Sequence, residues 1–140
     1  MRTRTYVCQL EKFLNAVLAR YDIPVIDSPH VGTFTDVNAK IASIGIQIRH
    51  RVTSHGFALN VEDDVKAWFN QIIACGLTDV KATTMNSERR KRDQDAKTMT
   101  VDALVPAAVE EFGRAFRRDM RPVDASFDAP DLLQALQPIR

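Results

Sequence analysis

Glycine is scarce in this chain of 140 residues, which has five of them, about half of the usual share of roughly 7%. They stand at Gly32, Gly45, Gly56, Gly76 and Gly113. Neither G-x-G-x-x-G nor G-x-x-x-x-G-K-[ST] can be written with glycines at those positions. The two common glycine-rich nucleotide-binding loops are therefore excluded.

Cysteine and long apolar runs are scarce as well. Cys8 and Cys75 are too few for the disulfide framework of a small secreted protein. No stretch approaches the roughly 18 apolar residues of a transmembrane helix, and the N-terminus lacks the apolar segment of a signal peptide. A reducing, intracellular compartment is expected. The formal net charge of +1 argues against a dedicated nucleic-acid binder.

The residues that are present favour one domain of mixed helices and strands. The chain is 45% hydrophobic and 26% charged, and it is long enough to bury a core without disulfides or a metal. Apolar residues three and four apart predict an amphipathic helix over 5–21 and a second one from Thr100 onwards. Alternation at Ile44, Ile46 and Ile48 predicts strands within 30–61. We expect an α+β fold, a mixed sheet with packed helices, over 1–121 and a loosely packed tail over 122–140.

The pattern between the strands and the second long helix is weaker. Asp63 and Asp64 precede apolar residues that start at Val65, and acidic residues favour the N-terminus of a short helix there. Residues 74–87 are typical of a loop with one short strand. The basic run 89–92 could be a solvated loop, a phosphate-binding patch, a docking site for an acidic partner or a small nucleic-acid site. We favour the solvated loop.

Glycines stand close to three side chains that could be reactive, Lys40, His55 and Cys75. A glycine within a strand often marks a place where a ligand or another backbone comes close. Cys75 can be a buried, inert side chain or a nucleophile, and a nucleophilic thiolate needs a nearby cation, a histidine or a helix N-terminus. Lys40 and His55 are the candidates for that role. His30, His50 and His55 share no metal-ligand spacing with the cysteines, so no metal site is expected.

Five segments of the chain resemble a known family. They are Gly-Thr-Phe at 32–34, Lys-Ile-Ala-Ser-Ile-Gly at 40–45, Val-Thr-Ser-His-Gly-Phe-Ala-Leu-Asn-Val at 52–61, Ala-Cys-Gly-Leu at 74–77 and Thr-Thr-Met at 83–85. In this order and spacing they resemble the lipoyl(octanoyl) transferases, which are octanoyl-carrier-protein:protein N-octanoyltransferases. The stretch 3–8 is most similar to the eukaryotic members. The resemblance implies the catalytic fold of the biotin and lipoate protein ligases.

The same resemblance implies an acyl transfer in two steps. Cys75 would attack the octanoyl thioester of an acyl carrier protein and hold the octanoyl group, with Lys40 beside it to lower the thiol pKa and relay protons. The group would then pass to a lysine of a lipoyl domain in a 2-oxo acid dehydrogenase, or of the glycine-cleavage H protein. His55 would hold a turn. The residues implied to line the acyl site are Ser43, Ile44, Gly45, Gly56, Phe57 and Ala58.

The resemblance implies no cofactor, no metal and neither nucleic acid nor membrane as a partner. It implies the mitochondrial matrix, or the cytoplasm in a bacterium. Two features depart from the family pattern. Ala74 stands where a proline usually precedes the cysteine, and the family's Arg-Gly-Gly and His-Gly-Pro-Gly stretches before the first helix have no counterpart here. We therefore expect a partial, N-terminally truncated domain whose acyl pocket lacks one wall. The alternative is a non-catalytic remnant, or a binding module for acyl carrier or lipoyl-domain partners.

Overall fold

Four helices and four strands make up the part of the chain that the structure describes. The computed structural model describes residues 3–50, 52–71 and 79–122, with the backbone alone at His55. The elements in chain order are α1 (Thr3–Ala19), β1 (Thr33–Asp36), β2 (Ala39–Arg49), β3 (Val52–Leu59), α2 (Val65–Phe69), β4 (Lys81–Ala82), α3 (Met85–Arg92) and α4 (Val101–Phe116). The predicted α+β class is confirmed.

The strands form one mixed sheet. Strand β2 is central, with β1 and β3 antiparallel to it on either side, and β4 parallel to its first residues. The register along β1 shifts twice, between Thr33 and Phe34 and again between Phe34 and Asp36. Such irregularities bend a strand and change the direction of its side chains. The shifts lie opposite residues 39–42 of β2, a segment that also pairs with β4 and with the end of β3.

Helix α1 packs on one face of this sheet, and α4 packs along α1. Their apolar residues recur three and four positions apart, so each helix has one buried stripe. The rings of Phe13 on α1 and Phe112 on α4 are 5.4 Å apart and nearly perpendicular. The buried apolar cluster contains Phe13, Leu14, Val17, Leu18, Ile23, Ile41, Ala42, Val61, Met85, Met99 and Leu104. Among the described residues, no helix has the length and apolar character to cross a bilayer.

The two long helices end in the same way. Asp22 follows α1 with a φ of 56°, and Arg117 follows α4 with a φ of 52°. The next amide in each case donates back to a carbonyl five residues earlier, from Ile23 to Leu18 and from Arg118 to Gly113. This is the Schellman pattern, which satisfies carbonyls that the end of a helix leaves free. Helix α1 thus covers 3–19, and each of its ends lies two residues before the predicted one.

Helix α3 corrects the prediction of a loop at residues 85–92. Thr84 caps its first turn by accepting a hydrogen bond from the Ser87 amide at 3.1 Å. The carboxylate of Asp63 accepts from the hydroxyls of Thr84 and Ser87 and pairs with Arg90. Polar contacts to Asp63, together with the buried side chain of Met85 in its first turn, therefore hold this helix against the domain. The prediction of one short strand in 74–87 is confirmed by β4.

Candidate functional site

Lys40 lies where three strands meet. It is opposite Phe34 of β1 on one edge of β2 and opposite Ala82 of β4 on the other. Its carbonyl oxygen accepts a hydrogen bond from the Thr83 amide at 2.9 Å. Backbone hydrogen bonds on both edges hold a strand residue in place, so the position of Lys40 is fixed by the sheet.

The side chain of Lys40 is buried, with 2% of its surface exposed. Its ammonium donates to the carbonyl oxygen of Val31 at 3.0 Å and lies 5.4 Å from the centre of the Phe34 ring. Throughout the ranges 3–50, 52–71 and 79–122, no carboxylate lies within 4.0 Å of this ammonium. A buried charge is costly unless it is paired. The arrangement therefore favours an anion close to Lys40.

Gly32 has no side chain, and this leaves room for the side chain of Lys40. Its φ is +121°, a conformation that residues with a side chain rarely adopt. A Cβ atom at this position would lie 2.6 Å from the carbonyl oxygen of Ala42 and 2.7 Å from the Cε of Lys40. The sequence placed Gly32 in a family motif, but its role beside Lys40 was missed. An isolated glycine before a predicted strand was the signal for it.

The six residues predicted to line the acyl site lie together. They form three consecutive cross-strand pairs of β2 and β3: Ser43 with Ala58, Ile44 with Phe57, and Gly45 with Gly56. Because strand side chains alternate between faces, the middle pair lies on the face opposite to that of the other two. Phe57 packs against Phe13 of α1, with ring centres 4.9 Å apart.

The face formed by the other two pairs is open. A Cβ atom built on Gly45 or on Gly56 would meet nothing within 4 Å. Small residues on adjacent strands allow a ligand to approach the backbone closely. Phe57 on the opposite face borders an apolar groove of about 450 Å³ between β3 and α4, which Val105 and Val109 also line.

Cys75, Gly76 and Ala74 lie outside the described residues, and so does the side chain of His55. The prediction that Lys40 lies beside Cys75 therefore stays a prediction. Strand β4, which comes six residues after Cys75, pairs directly with Lys40. Among the residues that the structure describes, no three His, Cys, Asp or Glu side chains form a group able to hold a metal ion.

The basic run 89–92 lies on α3, and each of its side chains has a contact within the domain. Arg90 pairs with Asp63 and Lys91 with Glu88. Arg89 and Arg92 donate to backbone carbonyl oxygens of Lys97 and Asp22. Arg89 and Arg92 also line a cavity of about 500 Å³, together with Arg20, which follows α1, and with Asp22 and Asp93. The side chains of this run therefore contribute to the packing of the domain.

Comparison with known proteins identifies similar sequences. Residues 1–113 match the family described as lipoyl protein ligase A/B catalytic domain. The octanoyltransferase of Renibacterium salmoninarum is 39% identical over an alignment of 115 residues, which covers 78% of this chain and 46% of that protein. The octanoyltransferase of Koribacter versatilis is 32% identical over 145 residues, covering 94% of this chain and 55% of that protein.

A mitochondrial octanoyl-[acyl-carrier-protein]:protein N-octanoyltransferase of Danio rerio is also similar. It is 34% identical over 113 residues, which are 81% of this chain and 47% of that protein. The chain thus spans about half the length of the curated relatives it matches.

Proposed function

The chain belongs to the lipoyl protein ligase A/B catalytic domain family, and we propose that it moves an octanoyl group from acyl carrier protein to a lysine of lipoyl-domain proteins. The observation that carries the proposal is the buried ammonium of Lys40, which has one hydrogen-bond acceptor among the described residues. We propose that the thiolate of Cys75 supplies the missing negative charge. A cation beside a thiol lowers its pKa and so raises the fraction of the nucleophilic thiolate.

The proposed first step moves the octanoyl group onto the protein. The Sγ thiolate of Cys75 attacks the carbonyl carbon of the carrier thioester, and the bond from that carbon to the carrier sulfur breaks. Lys40 gives a proton to the departing carrier thiolate, so the carrier leaves as a thiol. The protein then holds the octanoyl group as a thioester, which is a reactive acyl donor.

The proposed second step moves the group onto the acceptor. The uncharged amine nitrogen of the acceptor lysine attacks the thioester carbon, and the bond to the Cys75 sulfur breaks. The amine proton passes to Lys40, which regains its charge, and Cys75 returns to the thiolate. Lys40 therefore gives one proton in the first step and takes one in the second.

We propose that the two cross-strand pairs on the open face, Ser43 with Ala58 and Gly45 with Gly56, hold the octanoyl chain, whereas Phe57 packs against Phe13 on the opposite face. The open space above Gly45 and Gly56 supports this position, since an acyl chain can lie there against the backbone. The Cβ of a leucine at position 45 would meet nothing within 4 Å, and the rest of its side chain would occupy the open space. Gly45→Leu should therefore reduce acyl loading while leaving the free energy of unfolding nearly unchanged.

The partners in this proposal are octanoyl-acyl carrier protein and lipoyl-domain proteins, including the glycine-cleavage H protein. In a eukaryote the reaction would take place in the mitochondrial matrix, and in a bacterium in the cytoplasm. A non-catalytic binding module is the alternative, and the same experiment separates the two.

The test is incubation with octanoyl-loaded carrier, followed by intact-mass measurement. We expect the mass of one octanoyl group to be added to the protein, and the addition to be lost in Cys75→Ser. Lys40→Met should slow the loading roughly 10- to 100-fold near neutral pH. Raising the pH should recover much of the loading rate of this variant, because the Cys75 thiol then ionises even without a neighbouring cation.

Lys81→Met is the matched control, since this lysine of β4 is exposed and lies one position from the residue opposite Lys40. It should load at the rate of the unmodified protein. Equal loading rates for the Lys40 and Lys81 variants would contradict the role of Lys40. Stable carrier binding without any adduct would instead support the binding module.

A further inference from the structure

The aromatic ring of Phe34 lies beside the buried ammonium of Lys40. The Lys40 nitrogen is 5.4 Å from the ring centre, and within residues 3–50, 52–71 and 79–122 this is the only cation over an aromatic ring. A cation within about 6 Å of a ring centre is attracted to the negative face of the ring. Phe34 therefore supplies negative potential to an ammonium whose one hydrogen-bond acceptor among the described residues is the Val31 carbonyl.

The backbone on both sides of Phe34 fixes the position of this ring. Phe34 is directly opposite Lys40 in the pairing of β1 with β2, and directly opposed residues of an antiparallel pair point to the same face. On the other edge of β1, the Phe34 carbonyl accepts a hydrogen bond from the Ile26 amide at 2.9 Å. The Phe34 side chain is 1% exposed. A ring that is so closely packed has little freedom to move away from Lys40.

An aromatic ring suits both protonation states that Lys40 passes through in the proposed reaction. A carboxylate in its place would pair with the ammonium and cancel much of the positive charge that the Cys75 thiolate needs. The ring attracts the ammonium but carries no net charge, so the positive charge of Lys40 remains available to a neighbouring thiolate. After Lys40 has given its proton to the carrier, the ring is also a suitable apolar neighbour for the uncharged amine.

We propose that Phe34 is a positioning residue for the acyl transfer, an inference that rests on the proposed function. Its ring holds the Lys40 ammonium at the Val31 carbonyl and stabilises the positive charge there. Phe34 thus acts on the Cys75 thiol through Lys40. Weakening the attraction between the ring and the ammonium should therefore lower the thiolate fraction of Cys75, even in a protein whose packing is unchanged.

The test replaces Phe34 with a trifluorinated phenylalanine in the full chain. Fluorine atoms withdraw electron density from the ring, so its attraction for a cation falls while its shape stays nearly the same. Iodoacetamide, a neutral reagent, alkylates the thiolate form of a cysteine. The pH dependence of the alkylation rate therefore gives the midpoint of thiol ionisation. Peptide mass measurement follows Cys75 and Cys8 separately in the same sample.

We expect fluorination of Phe34 to raise the midpoint of Cys75 by roughly 0.5–1 pH unit. Octanoyl loading near neutral pH should slow correspondingly, by roughly 3- to 10-fold. In a Lys40→Met background the same fluorination should have no effect on the midpoint. His30, whose ring centre is 6.3 Å from that of Phe34, and Glu11, which accepts from the Gly32 amide, are the nearby titratable groups. An effect that ran through either of them would persist in Lys40→Met.

Fluorination of Phe13 is the matched control. Phe13 is also 1% exposed, but its ring packs against those of Phe57 and Phe112, and no cation of the described chain lies over it. The midpoint of Cys75 should therefore stay unchanged in this variant. Cys8 is exposed on α1, and its alkylation rates should be the same in all variants.

Phe34→Leu removes the ring in a second way. It keeps an apolar side chain without an aromatic face, so the midpoint of Cys75 should rise at least as far as in the fluorinated protein. Phe13→Leu makes the same change in the core away from Lys40 and should leave the midpoint in place. Comparing the two separates a loss of stability from the loss of the ring beside Lys40. Circular dichroism checks that each variant is folded.

Three results would overturn the inference. These are an unmoved Cys75 midpoint in the folded Phe34 variants, an equal rise in the Phe13 variants, and a rise that persists in Lys40→Met. A midpoint raised by Lys40→Met but not by the Phe34 variants would remove the role of Phe34 and leave the proposed function standing. A midpoint that Lys40→Met does not raise would contradict the role of Lys40 and the inference with it. The expected shifts without any octanoyl loading would keep Phe34 as the residue that holds Lys40 and contradict the acyl transfer.

Discussion

Replacing Gly32 with alanine should destabilise the protein strongly. The backbone at Gly32 has a φ of +121°, and holding a residue with a side chain in such a region costs about 1–3 kcal/mol. The new methyl group would also lie 2.6 Å from the carbonyl oxygen of Ala42. That atom belongs to the backbone of β2 and cannot move aside as a flexible side chain can. We expect the free energy of unfolding to fall by roughly 2–4 kcal/mol.

Gly45→Ala is the matched control for this substitution. Its new methyl group would meet nothing within 4 Å, and its φ lies outside the positive region. At such a position alanine restricts the unfolded chain more than glycine does, which stabilises a protein by about 0.4–1 kcal/mol. The two variants add the same atoms to the chain, so the difference between them isolates the geometry at Gly32.

Urea unfolding followed by far-ultraviolet circular dichroism measures both variants. The slope of the free energy against urea should stay constant, because the exposed surface hardly changes, while the midpoint falls for Gly32→Ala alone. A loss below about 1 kcal/mol for Gly32→Ala, or an equal effect at Gly45, would refute the close packing of Gly32 against Ala42 and Lys40.

Three further substitutions test the contacts between elements. The Asn86 side chain donates to the carbonyl of Met99 and accepts from its amide, both at 2.8 Å, so Asn86→Ala should cost roughly 2–4 kcal/mol in urea unfolding by leaving two buried groups unpaired. A loss as small as that of an exposed substitution would contradict it. Thr100→Ala should cost about 1 kcal/mol and lower the helix signal, because Thr100 caps α4; an unchanged midpoint would argue against the cap. The hydrogen bond from Arg20 lowers the pKa of Glu110 below its usual 4.5, so the stabilisation is present above that value and is lost as the pH falls through the lower, folded pKa. Glu110→Gln should therefore be less stable than the unmodified protein at pH 7 and equal to it near about pH 2, and a gap that persists in acid would contradict this origin.

The long helices and the sheet could be predicted because apolar spacing determines them. The stripe that contains Phe13 and Val17 recurs at helical intervals, and the alternation at Ile44 and Ile46 has the period of a strand. The ends of these elements were predicted less accurately. The left-handed residue Asp22, which ends α1, carries no apolar signal, so the end of the helix was predicted two residues too late.

Helix α3 could not be found from apolar spacing, because its stability comes from elsewhere. Its N-terminus is held through Thr84, Ser87 and Asp63, and Asp63 is more than 20 positions away in the chain. A distant carboxylate of this kind does not show in local patterns. The charge order was nevertheless informative. An acidic residue, Glu88, in the first turn and basic residues in the last turn agree with the helix dipole.

The candidate site was predicted from motifs, and its surroundings were not. The motifs brought Lys40 and the three cross-strand pairs to attention, and the register of β2 and β3 places those pairs together. The contact of Lys40 with the carbonyl of Val31 and the contact of Gly32 with Glu11 depend on how the loop before β1 crosses α1. That crossing is a tertiary contact between residues some 20 positions apart, so spacing alone could not predict it.

The pairing of α1 with α4 has a consequence during synthesis on the ribosome. The Gln9 side chain donates to the Ala115 carbonyl, and the rings of Tyr6 and Phe116 are 5.7 Å apart. Helix α1 is made first, yet its partner begins only at Val101. At a synthesis rate of about 5–20 residues per second, roughly 4–16 s pass between the end of α1 and the start of α4. During that interval the apolar side chains of α1 that α4 later covers stay exposed, and chaperones can bind them. A slow stretch of codons before α4 would prolong this exposure.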